Sequence, residues 1–503
     1  MTINNLKSII HINSQKNLAI FSFIIITLIA TFSVFSIKNY LFPYKELLVL
    51  IYVIISGVIS LLYYFKTKSI HRTAVIIILL FGIMFVFLSP INSISDEKEH
   101  LIRSEITSRG VLVPEYITQG NESGFISIDS IKNSPKYISI YETDWDSGKI
   151  NETEVLIASS FEQNPFYAYI APAIGIGLAK LLNLDNIWLL WLGRICNLLM
   201  YATLCGIAIK KTPMLKLPMA IVACFPLSIS QAASISCDCF IFSFTFIAFA
   251  YLFHIYKSKN LSKRNIIIYT SLVLILAISK ITFASLILLL FFIPKENYKN
   301  EKYYLLSFLS LTIIFGITLI WSKYFAMNSL LHSWRSIVFE QNNVNATLQM
   351  QHILNNPLEG IIPFLHMGDQ IPHLVNNLSK LYIKNDSFPL FNYFYSIFAL
   401  FFCLFYPVKE KISSKSKIIL LLTLLILLFG TYFVQYLTWA PVGAINLDLT
   451  EVMPRYFLPT CVLLPLIFSI NKNKKIKNLH TISFTIIVSS LSSVAMFFVS
   501  MFY

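Results

Sequence analysis

The chain has 503 residues, of which 56% are hydrophobic and only 13% charged, and its mean hydropathy is +0.69. Soluble domains carry about 25% charged residues, so this composition excludes a soluble protein and indicates an integral membrane protein. The net charge of +14 does not call for a nucleic-acid partner, because the lysines and arginines gather in short loops between apolar runs.

The polar, basic opening "MTINNLKSIIHINSQKN" is followed by an apolar run over 18–37 with no small-residue cleavage site. This reads as a retained first helix, not a removed signal peptide. Further runs of spanning length cover 46–65, 73–90, 187–209, 214–233, 237–256, 303–323, 388–407, 416–437, 456–471 and 479–501. The stretch 264–294 is interrupted by Lys280 and reads as two short helices.

Basic loops separate these runs: "KTKSIHR" (66–72), "KKTPMLK" (210–216), "YKSKNLSKR" (256–264), "PKENYKNEK" (294–302), "KEKISSKSK" (409–417) and "NKNKKIKN" (471–478). The positive-inside rule assigns them all to the cytoplasm. The stretch 90–165 is the opposite, with six Lys/Arg against thirteen Asp/Glu, and is expected outside, as are 324–388 and 438–455. The apolar run 164–182, "NPFYAYIAPAIGIGLAKLL", would force "KKTPMLK" outside if it spanned. It is expected to lie on the outer membrane surface. The resulting expectation is an all-α polytopic membrane protein, one transmembrane domain over 1–503 with about 13 spanning helices. Its N-terminus is cytoplasmic, with a long first extracytoplasmic loop over 90–165, an interfacial helix over 164–182 and a second outer loop over 324–388.

The seven cysteines are odd in number and lie in or beside apolar runs, and Cys237 and Cys239 form C-x-C. They read as small hydrophobes, not as a disulfide framework or zinc site.

The first outer stretch opens with "SPINSISDEKEHLIRSEITSRG" (89–110). Ser95 reads as an N-cap, with Asp96 and Glu97 in the first turn, where negative charge is favoured. Helical spacing over 96–109 puts Asp96, Glu99, His100 and Arg103 on one face, with Glu97 about a quarter-turn away. Two readings stand: a capped, solvated surface helix, or a carboxylate cluster where a membrane helix meets water. Such a carboxylate serves as general base toward a hydroxyl or binds a metal. His100 is placed to orient a phosphate or share the base role.

Lys280 interrupts an apolar run, at a cost of roughly 2.5–3.5 kcal/mol for a mid-helix charge. It either binds an anion or ends a helix and snorkels. Arg455, beside Tyr456, is a phosphate gripper or a topological anchor. Asp238 is placed to pair with Lys280 or Arg194, to hold an acceptor hydroxyl, or to form a structural ion pair. Arg194 lies within a span, where an internal partner is expected. In the second outer stretch, His352, His366 and Asp369 match no standard metal spacing and read as solvated or satisfied groups.

The order Asp-Glu-x-x-His-x-x-Arg followed by Gly110 and "LVP" (112–114) resembles the first-loop motif of the DUF2142 family of bacterial membrane proteins. That domain of unknown function is similar to the GT-C glycosyltransferases. The proline-tyrosine helix 164–182, Arg194, "FPLSISQAASISCD" (225–238), Lys280 and "MPRYFLP" (453–459) follow in the same order as in that family. The resemblance implies a GT-C-like bundle in the bacterial cytoplasmic (inner) membrane, with an extracytoplasmic active site. It implies transfer of a sugar, with inversion, from a polyprenyl-phosphate donor to a cell-surface glycan or lipid-linked acceptor, as in polysaccharide assembly. Carried over, Asp96 is the base and Glu97 the second candidate. His100, Arg103, Arg194, Asp238, Lys280, Arg455 and Tyr456 would bind substrate or phosphate. The resemblance implies no definite cofactor and is compatible with a divalent metal. The alternatives are a polymerase or ligase using polyprenyl-pyrophosphate oligosaccharides, and a glycolipid transporter or flippase.

Overall fold

A computed structural model describes residues 3–38, 44–120, 122–136, 144–145, 147–162, 164–259, 261–326, 335–378, 390–447, 452–468 and 478–502. The basic stretch 471–477 and part of 324–388 therefore lie outside the described residues. Eight helices in the described chain are long and apolar enough to cross a membrane, so the protein is a polytopic, predominantly helical membrane protein.

The first three helices are α1 (Ile3–Lys38), α2 (Tyr44–Thr67) and α3 (Ile70–Leu88). The long loop after α3 carries α4 (Glu97–Ser108) and a three-stranded antiparallel sheet: β1 (Ile117–Gln119), β2 (Glu122–Ile128) and β3 (Glu154–Ile157). A short helix, α5 (Asp129–Lys132), follows β2 directly. The all-α expectation did not contain this sheet. Its strands pair Phe125 with Ile157 and Ile128 with Glu154, burying Phe125 and Ile128 against Leu101, Ile102 and Ile106 of α4.

The run 164–182 becomes a 3₁₀ turn (Phe166–Tyr169) and α6 (Ile170–Leu181). At 12 residues, α6 is about 18 Å long, too short to span. Ile170, Ile174, Leu178 and Leu181 form an exposed apolar stripe, while the opposite face packs on α7 (Ile187–Lys211). A Cβ on Gly175 would strike the Leu192 backbone, so glycine there permits the close approach.

The expected span 214–233 is broken into α8 (Lys216–Ala223) and α9 (Pro226–Ala232). Pro226 has no N–H and disfavours helix at the preceding residue; Phe225 is accordingly extended. Then come α10 (Cys237–Ser258), capped by Ser236, and α11 (Lys263–Ser279), capped by Ser262. Lys280 is extended and breaks the chain into a 3₁₀ helix over Ile281–Leu290, so 264–294 is two short helices, as its interruption predicts. The chain continues through α12 (Glu301–Trp321) to α13 (Arg335–Gln341), α14 (Ala346–Asn355), α15 (Pro357–Leu365) and α16 (Ile371–Leu378). It ends with α17 (Leu390–Phe405), α18 (Ser414–Trp439), 3₁₀ turns over Pro454–Tyr456 and Leu458–Leu463, α19 (Leu464–Phe468) and α20 (Leu479–Phe502).

Charge is segregated along the bundle. Lys210 and Lys216 act electrostatically on His71, and Lys68 on His480. Lys257 pairs with Glu410, and Leu261 bridges Tyr298. Both α7 and α10 end among these groups, and both begin at the other end of the bundle, beside the acidic loop.

Candidate functional site

Four chain segments meet at the start of α4. Asp96 occupies the N-cap position in a left-handed conformation (φ 64°, ψ 12°). Its side chain caps nothing in α4, and Ser95, expected as the cap, instead precedes it. Left-handed backbone costs a non-glycine residue about 1–2 kcal/mol, least for Asn and Asp. Such strain persists where the surroundings over-determine it.

The surroundings here are cationic. Arg455 Nη2 donates to Asp96 Oδ2 at 2.8 Å, and its Nε lies 3.2 Å from Asp238 Oδ2. Asp238 sits in the first turn of α10 with its own N–H on the Ser236 hydroxyl at 3.2 Å. Lys280 Nζ stands 3.2 Å from the Tyr456 ring centroid, and Asp238 and Asp96 are the carboxylates acting on it. Asp96, Asp238, Lys280, Arg455 and Tyr456 thus converge from α4, α10, the end of α11 and the 454–456 turn. Asp96 keeps 31% side-chain exposure, against 9% for Asp238 and 8% for Arg455.

Glu97 turns away from this group. It forms a two-pronged pair with Arg194, Nε to Oε1 at 2.8 Å and Nη2 to Oε2 at 2.7 Å, both side chains fully buried. The remaining Arg194 donors reach the carbonyls of Val86, Ser89 and Pro90. The Ile235 N–H donates to Glu97 Oε1 at 3.0 Å. This pair ties the end of α3, the start of α4, α7 and the α9–α10 link into one joint, and Asn197 adds bonds to the carbonyls of Ser234 and Ser236.

His100 and Arg103 also point inward. His100 Nδ1 shares a hydrogen bond with the Tyr169 hydroxyl at 2.8 Å, its ring stacks on Phe161, and Cys237 Sγ lies 4.0 Å from Nε2. Arg103 is spent on the Asn164 carbonyl, the Thr107 hydroxyl and the Leu112 carbonyl. Tyr167, at the start of the surface element, donates to the Ile275 carbonyl and accepts from Ser279, next to Lys280.

Sequence reasoning missed two buried carboxylates. Glu105 joins α4, α6 and β2 through Lys180 at 2.6 Å and Ser127 at 2.6 Å. Glu162 is 4% exposed, and burial outweighs the influence of the Ser159 hydroxyl and its own backbone N–H on the carboxyl. Burial, reinforced by the Glu99 charge, pushes its carboxyl up to about 7. Neither residue stands out in the sequence, because only the fold buries it.

Among the described residues no group of three or more His, Cys, Asp and Glu side chains is arranged to hold a metal. The Arg455 guanidinium already stands between Asp96 and Asp238, so this donor set does not fit a divalent ion. His352 and His366 each lie 3.5 Å from a neighbouring carboxylate, Glu359 and Asp369, far along the chain from the Asp96 group.

The chain matches the family described as "Predicted membrane protein (DUF2142)" over residues 79–464. It belongs to that family. The matched span runs from within α3 to the first residue of α19, so every residue of the Asp96 group in this DUF2142 protein falls inside it. No curated protein and no solved structure matches the chain.

Proposed function

We propose that this DUF2142 protein is a GT-C-type membrane glycosyltransferase. It would move a sugar from a polyprenyl-phosphate donor to a glycan or lipid-linked acceptor on the extracytoplasmic face of the bacterial cytoplasmic membrane. The observation that carries this reading is the state of Asp96: a partly exposed carboxylate, fixed through one oxygen by Arg455, beside the half-buried Lys280. The segregation of basic loops to the opposite end of the bundle supports an extracytoplasmic site. The eight long helices are crossings by length and composition, and the expected thirteen would require shorter passages such as 263–279 to cross as well.

In this reading Asp96 takes the proton from the acceptor hydroxyl as that oxygen attacks the anomeric carbon. The bond from that carbon to the phosphate oxygen breaks, and its electron pair leaves with the polyprenyl phosphate. Lys280 meets the negative charge that develops there, an electrostatic contribution favoured in a site with little water. Arg455 is occupied by two carboxylates and positions Asp96. Glu97 and Arg194 hold the joint that presents α4, and α6 lies along the lipid approach. Opposite-face attack inverts the anomeric centre.

The test is transfer by the purified protein in proteoliposomes supplied with polyprenyl-phosphate monosaccharides and extracted envelope acceptors. Transfer from at least one donor supports the reading. Use of pyrophosphate-linked oligosaccharides alone would assign the site to a polymerase or ligase, and use of neither overturns it.

A further inference from the structure

A second feature lies on the other side of α4. A cavity of about 440 Å³ opens between α4, the segment from α5 to Lys136, and β3 with the residues after it. That volume suits a small ligand such as a sugar unit. Its lining divides into two kinds of surface. Ile102, Leu156, Ile157 and Ala158 form an apolar wall, and three lysines, Lys98, Lys132 and Lys136, line the rest with one acidic residue, Glu99.

The lysines are poorly neutralised. Lys98 rests on two backbone carbonyls, those of Lys132 at 3.0 Å and Ser134 at 2.7 Å, which leaves one of its three donors for another acceptor. Burial, then the charge of Lys136, pushes the Lys98 ammonium down to about 8, against the opposing pull of Glu99. Lys132 makes only a loose, exposed pair with Glu122 at 3.7 Å. Lys136 has no carboxylate within ion-pair distance among the described residues. Glu99 is 7% exposed and accepts the Ser160 N–H at 3.2 Å.

We infer that this cavity is a binding site for an acidic saccharide. The sugar carboxylate is held by Lys98, Lys132 and Lys136, one ring face lies on the Ile102–Leu156–Ile157 wall, and a ring hydroxyl donates to Glu99. Clustered ammonium groups call for an anion, the apolar wall calls for the C–H face of a ring, and a buried carboxylate calls for a hydroxyl donor. An inorganic anion would use only the first of these. The inference does not depend on Asp96 being a catalyst.

The experiment is calorimetric titration of the full-length protein in detergent with methyl glucuronoside, methyl glucoside and inorganic phosphate. Methyl glucuronoside is expected to bind saturably, and at least about ten-fold more tightly than methyl glucoside, the loss expected when charge-assisted contacts are removed. Lys132→Gln/Lys136→Gln changes two exposed side chains and is expected to leave the melting temperature unchanged. It is expected to weaken the uronoside by about ten-fold or more. Asp96→Asn is expected to bind it unchanged, which separates this site from the transferase reading. Equal binding of glucoside and uronoside, phosphate binding as tightly as the uronoside, or an unaffected double variant would overturn the inference.

Discussion

Arg455 Nη2 reaches Asp96 Oδ2 across 2.8 Å, joining residues 359 positions apart. The same guanidinium lies 3.2 Å from Asp238 Oδ2. One side chain from the last described loop therefore sets where two carboxylates stand relative to each other and to Lys280.

Replacing this arginine tests whether geometry or charge is used. Arg455→Lys keeps the charge but not the fork that addresses two carboxylates at once. Transfer activity is expected to fall roughly ten- to a hundred-fold, with the loss mainly in kcat. Steady-state kinetics with a fixed donor check this, and wild-type activity in the lysine variant would show that only charge matters.

The Glu97–Arg194 pair is expected to act on stability. Removing one partner of a fully buried ion pair costs about 3–5 kcal/mol because the other charge is left alone. Glu97→Ala and Arg194→Ala should each lower the melting temperature sharply, and the double variant should lose less than the sum of the two. Additive losses in detergent melting curves would mean the pair is not energetically coupled.

Arg103 gives a contrasting expectation. Its three bonds all lie within the long loop, to the carbonyls of Asn164 and Leu112 and to Thr107. Arg103→Ala removes these three part-buried hydrogen bonds, each worth about 1 kcal/mol to the stability of the loop. Protease nicking between 89 and 165 should increase while the transmembrane helices stay folded. An unchanged digestion pattern would remove Arg103 as the brace of this loop.

Much of the site is legible in the sequence, and the rest is not, for physical reasons. Lys280 marks its own helix break because a charge in an apolar run is costly. Asp96 stands out because acidic residues cluster just after a span. The inward turn of Glu97 is invisible locally: helical spacing orients it relative to Asp96, but its partner lies 97 positions on. The sheet over 117–157 is equally hidden, since its short strands are held by pairing across the loop and by burial on α4. Pro226, by contrast, was a readable signal for the break between α8 and α9.

Glu162 makes stability depend on pH. Its carboxyl, in the loop outside the spanning helices, is raised from 4.5 to about 7 by burial and the Glu99 charge. Between these values the folded protein holds a proton that the unfolded chain releases. Its contribution to stability is complete below pH 4.5 and is lost as pH rises through about 7. Glu162→Gln removes that dependence. Melting curves at pH 5 and pH 8 should show the wild type losing more than the variant; equal losses would contradict the buried, protonatable state.

The most direct measurement compares wild-type protein with Asp96→Asn in proteoliposomes, following a radiolabelled sugar from polyprenyl phosphate to acceptor. General-base removal costs about 10²- to 10⁴-fold, so the variant is expected to transfer at no more than about one per cent of the wild-type rate. Its melting temperature should stay close to wild type, because Asp96 is partly exposed and caps nothing in α4. Transfer at the wild-type rate by a folded Asp96→Asn protein would contradict the account.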